Sequence, residues 1–106
     1  MADWVVHFVS NAVLLGFIYF FDVASREDFL AIVLSVFASN FIDIDHLLAS
    51  PVYDPSRCSI NFHPLHSWYF FPVYGGLLFV RSRRVRYFVA GVFLHLALDW
   101  LWCLRL

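Results

Sequence analysis

The sequence contains no lysine and a single glutamate, and only 14% of its residues are charged. Without lysine, and with a formal net charge of −1, the chain lacks the basic footprint that nucleic-acid binding needs. So little charge also excludes disorder, which requires a polar, highly charged composition. Because Glu27 is the lone glutamate, no His-Glu-x-x-His motif exists, and an intramembrane metalloprotease is disfavoured. Two cysteines, Cys58 and Cys103, permit at most one internal disulfide.

What the chain has instead is apolar surface. It is 62% hydrophobic and 21% aromatic over 106 residues, with a mean hydropathy of +0.76. A soluble domain of this size leaves much of its area wet and cannot hide so much hydrocarbon. An integral membrane protein is expected. A spanning helix needs about 20 residues, so four of them with short links use up the chain as one domain, 1–106.

The spans are read as helices over about 4–21, 29–49, 63–80 and 87–104, giving an all-α, four-helix transmembrane bundle. The polar run Asp22 to Asp28 closes the first, and Pro51 and Pro55 punctuate the turn after the second. Pro64 suits a first helical turn, while Pro72 and Gly75-Gly76 are expected only to kink the third span. The chain opens Met1-Ala2-Asp3 without a basic segment, so the first run is read as a retained helix. Arg81, Arg83, Arg84 and Arg86 share one side with Arg26, which the positive-inside tendency assigns to the cytoplasm. Both termini and the loop after the second span then face the extracytoplasmic side of the inner membrane.

Ionisable side chains inside spans are costly and mark function by default. Here they fall into four windows: His7; Asp43, Asp45 and His46; His63 and His66; His95 and Asp99. All lie towards the extracytoplasmic ends of their spans, so one site fed by four helices is expected. His95 and Asp99, four apart, share a helix face. Asn40, Asp43 and His46 form a stripe at three-residue spacing, and Asn11 extends the polar face of His7. Asp45 points off that stripe and needs another approach to the site. The eight residues His7, Asp43, Asp45, His46, His63, His66, His95 and Asp99 are candidate metal ligands. Imidazole with carboxylate suits zinc first, with manganese or iron(II) as alternatives, and eight candidates could serve two ions.

The stretch Asp43-Ile44-Asp45-His46, then His63-Pro64-Leu65-His66-Ser67, His95 and Asp99, resembles the membrane-bound metal-dependent hydrolases, also called LexA-binding, inner-membrane-associated hydrolases. The block Arg57-Cys58-Ser59-Ile60-Asn61-Phe62-His63-Pro64-Leu65-His66-Ser67 is still more similar to a family of small four-span prokaryotic membrane proteins. The resemblance implies a site related to the helical core of zinc-dependent phospholipase C and P1 nuclease. Asp43, Asp45, His46, His66, His95 and Asp99 match the motif positions, and His7 and His63 match less closely. The chain departs from the hydrolase pattern in having Ile42 and Pro64 where that group often has proline and arginine.

The expected function is metal-dependent hydrolysis of a phosphoester on a lipid or lipid-linked headgroup. The ion would activate water by lowering its pKa towards about 7. Asp45 or Asp99 would act as base, and Arg57 would clamp phosphate. The alternative is a non-catalytic metal-binding or metal-sensing protein; metal transport is ranked below it. Membrane lipid is the expected partner, and a homodimer could complete so short a bundle, with Gly75-Gly76 as a place of close approach. Since Cys58 and Cys103 are placed on one side, a disulfide between them is one outcome and two free thiols the other.

Overall fold

A computed structural model describes residues 3–48, 58, 60, 61 and 63–105, with the side chains of Asp3, Trp4, His46 and Arg105 outside that description. Among the described residues the chain is all-helical. Helix α1 spans Asp3–Phe21, α2 Phe29–Ala38, α3 Phe71–Leu77 and α4 Arg83–Arg105. Shorter 3-10 segments cover Val23–Arg26, Ser39–Leu48, Pro64–His66 and Trp68–Phe70.

Three boundaries differ from the sequence expectation. The second span is α-helical only to Ala38 and continues as a ten-residue 3-10 helix, Ser39–Leu48. At the switch, Ser39 turns its hydroxyl back onto the Val36 carbonyl and its N–H contacts the Phe37 and Val36 carbonyls. The third span, expected over 63–80, is two 3-10 turns and the seven-residue α3. Pro64 opens the first of these turns and Pro72 lies in the first turn of α3. Each proline occupies a position whose N–H has no helical acceptor to lose. Ser67, extended at φ −94°, ψ 154°, breaks the path between the two turns. The fourth helix begins at Arg83 rather than 87, because the Ser82 hydroxyl accepts the Val85 N–H and caps it.

Helix α4 is the axis of the assembly and packs chiefly on α2. They approach tightly at Gly91, where a Cβ would lie 2.5 Å from Ser39 Oγ and 3.0 Å from the Val36 carbonyl oxygen. Gly75 and Gly76, by contrast, have nothing within 4 Å of an added Cβ. The close approach within the chain therefore belongs to Gly91, not to the glycine pair.

At the arginine-rich end a polar staple joins three segments. Asp22 Oδ2 accepts from the Ser25 hydroxyl at 2.8 Å and from the Tyr87 hydroxyl, with Arg83 Nε 3.5 Å away. These donors hold the Asp22 carboxyl below its ordinary range. Arg84 pairs with Asp28, and Arg26 donates to the Tyr19 carbonyl while lying over its ring.

Burial is inverted relative to a soluble globule. Phe8, Phe17, Phe20, Phe21, Leu30, Leu34, Phe41 and Phe79 are exposed, whereas His7, Asn11, Asp45, His63, His66, His95 and Asp99 are buried. Below this polar group, Leu15, Ile18, Ile32 and Val36 form a separate apolar cluster. On length and composition, Arg83–Leu104 within α4 is the helix long and apolar enough to cross a membrane among the described residues; Val5–Phe21 is apolar but shorter.

Candidate metal centre

The site is assembled from three pieces of chain: the 3-10 helix Ser39–Leu48, the turn Pro64–His66, and the second half of α4. A 3-10 helix has three residues per turn, so positions i and i+3 eclipse. Asn40 and Asp43 therefore stand one above the other and address the two nitrogens of a single ring. Asn40 Oδ1 is 2.9 Å from His95 Nδ1, and Asp43 Oδ1 is 3.0 Å from His95 Nε2. Two residues on, Asp45 projects from another side and reaches His66 Nδ1 at 2.9 Å. That settles where the off-stripe aspartate goes.

His66 is held by its own short turn. The Leu65 N–H donates to the same Asp45 oxygen at 2.8 Å, and the Tyr74 hydroxyl donates to the Leu65 carbonyl at 2.6 Å. Asn61, in the left-handed region at φ 64° that asparagine tolerates, closes the turn from outside. Its N–H donates to the His66 carbonyl, and its side-chain oxygen accepts the Trp68 N–H. A disulfide joins Cys58 to Cys103, with Cα atoms 4.9 Å apart, and ties the entry to this turn to α4. Cys103 is one helical turn beyond Asp99 on the same face of α4.

Four donor atoms converge. His66 Nε2 lies 3.2 Å from Asp43 Oδ1 and 3.2 Å from Asp99 Oδ2, and His95 Nε2 lies 3.0 and 3.2 Å from the same two oxygens. The two Nε2 atoms face one another at 3.3 Å. This cluster of Asp43, His66, His95 and Asp99 could hold a metal ion. The side chains of His66 and His95 are 0% exposed and that of Asp99 4%, whereas the Asp43 side chain is 42% exposed. The centre is thus closed on three sides and reachable past Asp43.

Proton placement gives the cluster its charge problem. Asp45 and Asn40 present oxygen acceptors to the two Nδ1 atoms, so each Nδ1 carries the ring proton. With both rings neutral, each Nε2 would turn a lone pair towards the centre, where two carboxylate oxygens already point. Placing a second proton on both rings would aim two N–H groups at one another across the 3.3 Å gap. A cation bound among the four atoms removes the conflict, and the partners on the far nitrogens are those that orient ligating histidines in metal sites.

The eight expected ligands therefore separate by role. Asp43, His66, His95 and Asp99 converge. Asp45 orients His66, and His7 Nε2 donates to Asp99 Oδ1 at 3.0 Å while its ring stacks on His95 at 3.9 Å. His63 is buried beside the cluster, its ring 5.7 Å from that of His66 and edge-on to it, and outside the four-atom group. The His46 side chain and Arg57 lie outside the described residues. Among the described residues, Asp43, His66, His95 and Asp99 form the group of three or more ligating side chains that could hold an ion.

Asn40 is the functional residue that sequence reasoning left among stripe members instead of site members; the available signal was its position three before Asp43. Replacing it with alanine is expected to weaken metal binding by about 10–100-fold, the usual effect of losing an outer hydrogen bond to a ligand. Competition with a chromogenic chelator measures this, and an unchanged affinity would deny Asn40 its role. Asn11 is also buried one turn below His7, and its Nδ2 has no hydrogen-bond partner among the described residues.

No curated protein and no solved structure matches the chain, so the comparisons supply neither a hydrolase relative nor a phospholipase-like fold. A match to a family of unknown function, DUF6122, covers residues 1–106, and the chain belongs to that family.

Proposed function

We propose that this chain is a membrane-embedded metalloprotein whose single divalent ion, zinc, serves hydrolysis of phosphoester bonds on a lipid or lipid-linked headgroup. One observation carries the metal: four inward-facing donors with five mutual distances between 3.0 and 3.3 Å. A regular tetrahedral shell with bonds of about 2.0–2.1 Å has edges of about 3.3–3.4 Å, and these five separations come close to that. Two imidazoles disfavour calcium and magnesium, and four ligands suit zinc better than the higher coordination favoured by manganese.

Membrane embedding is supported by the apolar exterior around a polar centre, the arrangement that solvation by lipid favours. Two independent features support an extracytoplasmic site. The disulfide lies at the site's end, where an oxidising compartment would preserve it. The arginine-rich segment 81–86 lies at the opposite end of α4.

Hydrolysis is favoured by the half-exposed Asp43. It is the one ligand a substrate oxygen could displace or share, which leaves three buried ligands as in catalytic zinc sites. A bound ion would polarise the phosphoryl oxygen and activate water. Asp45 and Asp99, first candidates for a base, are engaged by His66 and Leu65 and by His7 respectively. Asp43 takes over as the carboxylate nearest the incoming group.

A second reading, a non-catalytic metal-binding protein, is favoured by the same four ligands, which already complete a closed shell. Transport is opposed by the apolar plug of Leu15, Ile18, Ile32 and Val36 on the arginine side. Ser35 and Ser39 do not bridge it, since their hydroxyls turn back to Ala31 and Val36. Protein purified without chelator or metal-affinity tag is expected to hold one equivalent of zinc. After cobalt exchange, inorganic phosphate should shift the visible absorption of the bound ion, and a phosphodiester or lipid phosphate should be turned over. Bands indifferent to phosphate, with no turnover, would select the closed-site reading.

A further inference from the structure

We propose that the Cys58–Cys103 disulfide is the clasp of the metal centre, so that a thiol or phosphine reductant opens the site and releases the ion. The inference rests on the metal-binding reading and is independent of hydrolysis. It starts from where the ligands are anchored. His95 and Asp99 belong to a 23-residue helix and need no help to stay in register. His66 belongs to a three-residue turn, followed by a second such turn and a seven-residue helix. Segments this short have little intrinsic stability and take their position from what they are tied to.

Beside the apolar packing of Ile60, Leu65, Phe71 and Tyr74 with Val89, Val92 and Leu96 of α4, three specific bonds hold the segment. One is the Asp45 carboxylate, which accepts from both Leu65 N–H and His66 Nδ1. The second is the Tyr74 hydroxyl on the Leu65 carbonyl. Asp45 itself projects from a 3-10 helix, and Tyr74 from α3, so neither is bonded directly to α4. The disulfide is the covalent tie that crosses to α4, where the other contacts are apolar packing, and it does so beside both sets of ligands at once. Cys103 is one turn past Asp99, and Cys58 precedes His63 by five residues and His66 by eight. The covalent link therefore joins the turn that supplies one histidine to the helix that supplies the other histidine and an aspartate.

Reduction breaks the S–S bond and leaves two thiols. With a phosphine the two electrons come from phosphorus, and water supplies both protons and the oxygen of the phosphine oxide. With a dithiol the reductant is itself oxidised to a disulfide. Either way the 58–70 segment loses its covalent hold on α4. His66 then keeps its outer partner Asp45 but loses its fixed distance to His95 and Asp99, and the four-atom shell becomes a three-atom one. An ion bound in an oxidising compartment would stay bound there, and would be surrendered where reducing equivalents are supplied.

The test uses full-length, zinc-loaded protein in micelles, treated with a phosphine that does not compete strongly for zinc, with a chromogenic chelator reporting release. Oxidised protein is expected to hold its ion, and reduced protein to release it at least tenfold faster. Far-UV circular dichroism should stay unchanged, because α1, α2 and α4 do not depend on the clasp. A Cys58→Ser, Cys103→Ser variant should release zinc as fast as the reduced protein, with no further response to phosphine. Equal release rates before and after reduction would overturn the proposal. So would loss of helix on reduction, which would make the disulfide a prop of the whole fold. Oxidised protein that takes up no metal would remove the underlying metal reading, an outcome separate from a bound ion indifferent to reductant.

Discussion

Replacing His95 with alanine is expected to drop bound zinc from one equivalent to below about a tenth, because folding and metal affinity share one free energy in such sites. His95 is held by contacts from α1, the 3-10 helix, the His66 turn and its own helix. It faces Asp43, Asp99 and His66 through Nε2, bonds Asn40 through Nδ1, and carries the His7 ring on its face. Removing it takes away a ligand and opens a gap between α1 and the 3-10 helix. The remaining three donors lose the spacing that selects a tetrahedral ion. Atomic emission on purified protein measures the loss. In parallel, the thermal midpoint should rise with added zinc in the native chain and become indifferent to zinc in the variant, since a ligand stabilises only a state that binds it. Retention of a full equivalent by the variant would show that the ion, if present, is held elsewhere.

The second large effect is expected at Gly91. An added Cβ would meet Ser39 Oγ at 2.5 Å, Ser39 Cβ at 2.9 Å and the Val36 carbonyl at 3.0 Å. The first of these atoms can swing away; the last belongs to backbone and cannot. Gly91→Val therefore pushes α4 off α2, with a destabilisation of about 1–3 kcal/mol typical of overpacking. Damage to the metal centre should exceed damage to the fold. Gly91 lies one turn before His95, and Ser39 directly precedes Asn40, so separation at this contact moves the two halves of the His95 contact set apart. Ser39→Gly should restore part of the loss in the double variant by removing two of the three clashing atoms. Equilibrium unfolding in mixed micelles, read beside zinc affinity, tests both statements. A Gly91→Val protein with native stability and native affinity would mean that the close approach has no energetic content.

The legible part of this protein was the gathering of its buried polar residues. A chain that places its histidines and most of its span aspartates in four windows has few ways to satisfy them other than together. The four-residue step from His95 to Asp99 and the three-residue step from Asn40 to Asp43 both reappear as shared faces. What could not be read were features set by tertiary contact. A stripe at three-residue spacing looks the same on an α-helix and on a 3-10 helix, so the change of helix type at Ser39 left no mark in the pattern. Hydropathy averages over a break, so Pro72 and the glycine pair look like kinks in a long helix, whereas Pro72 opens a short one. The division of ligands into those that converge and those that orient them depends on distances of an ångström. Spacing along the chain carries no such information, so it does not separate Asp45 and His7 from the four residues that converge. Pairing of Cys58 with Cys103, 45 residues apart, was open for the same cause.

The ten-residue 3-10 helix Ser39–Leu48 has a mechanical side. A 3-10 helix rises about 2.0 Å per residue and an α-helix about 1.5 Å. Were the same ten residues to rewind into a continuation of α2, they would shorten by about 5 Å, and Asp43 would rotate about 60° away from Asn40. The two residues could then no longer address opposite nitrogens of one ring. The 3-10 form of this segment and the shared hold of Asn40 and Asp43 on the His95 ring are thus a single variable, so rewinding the segment would dismantle the four-atom cluster.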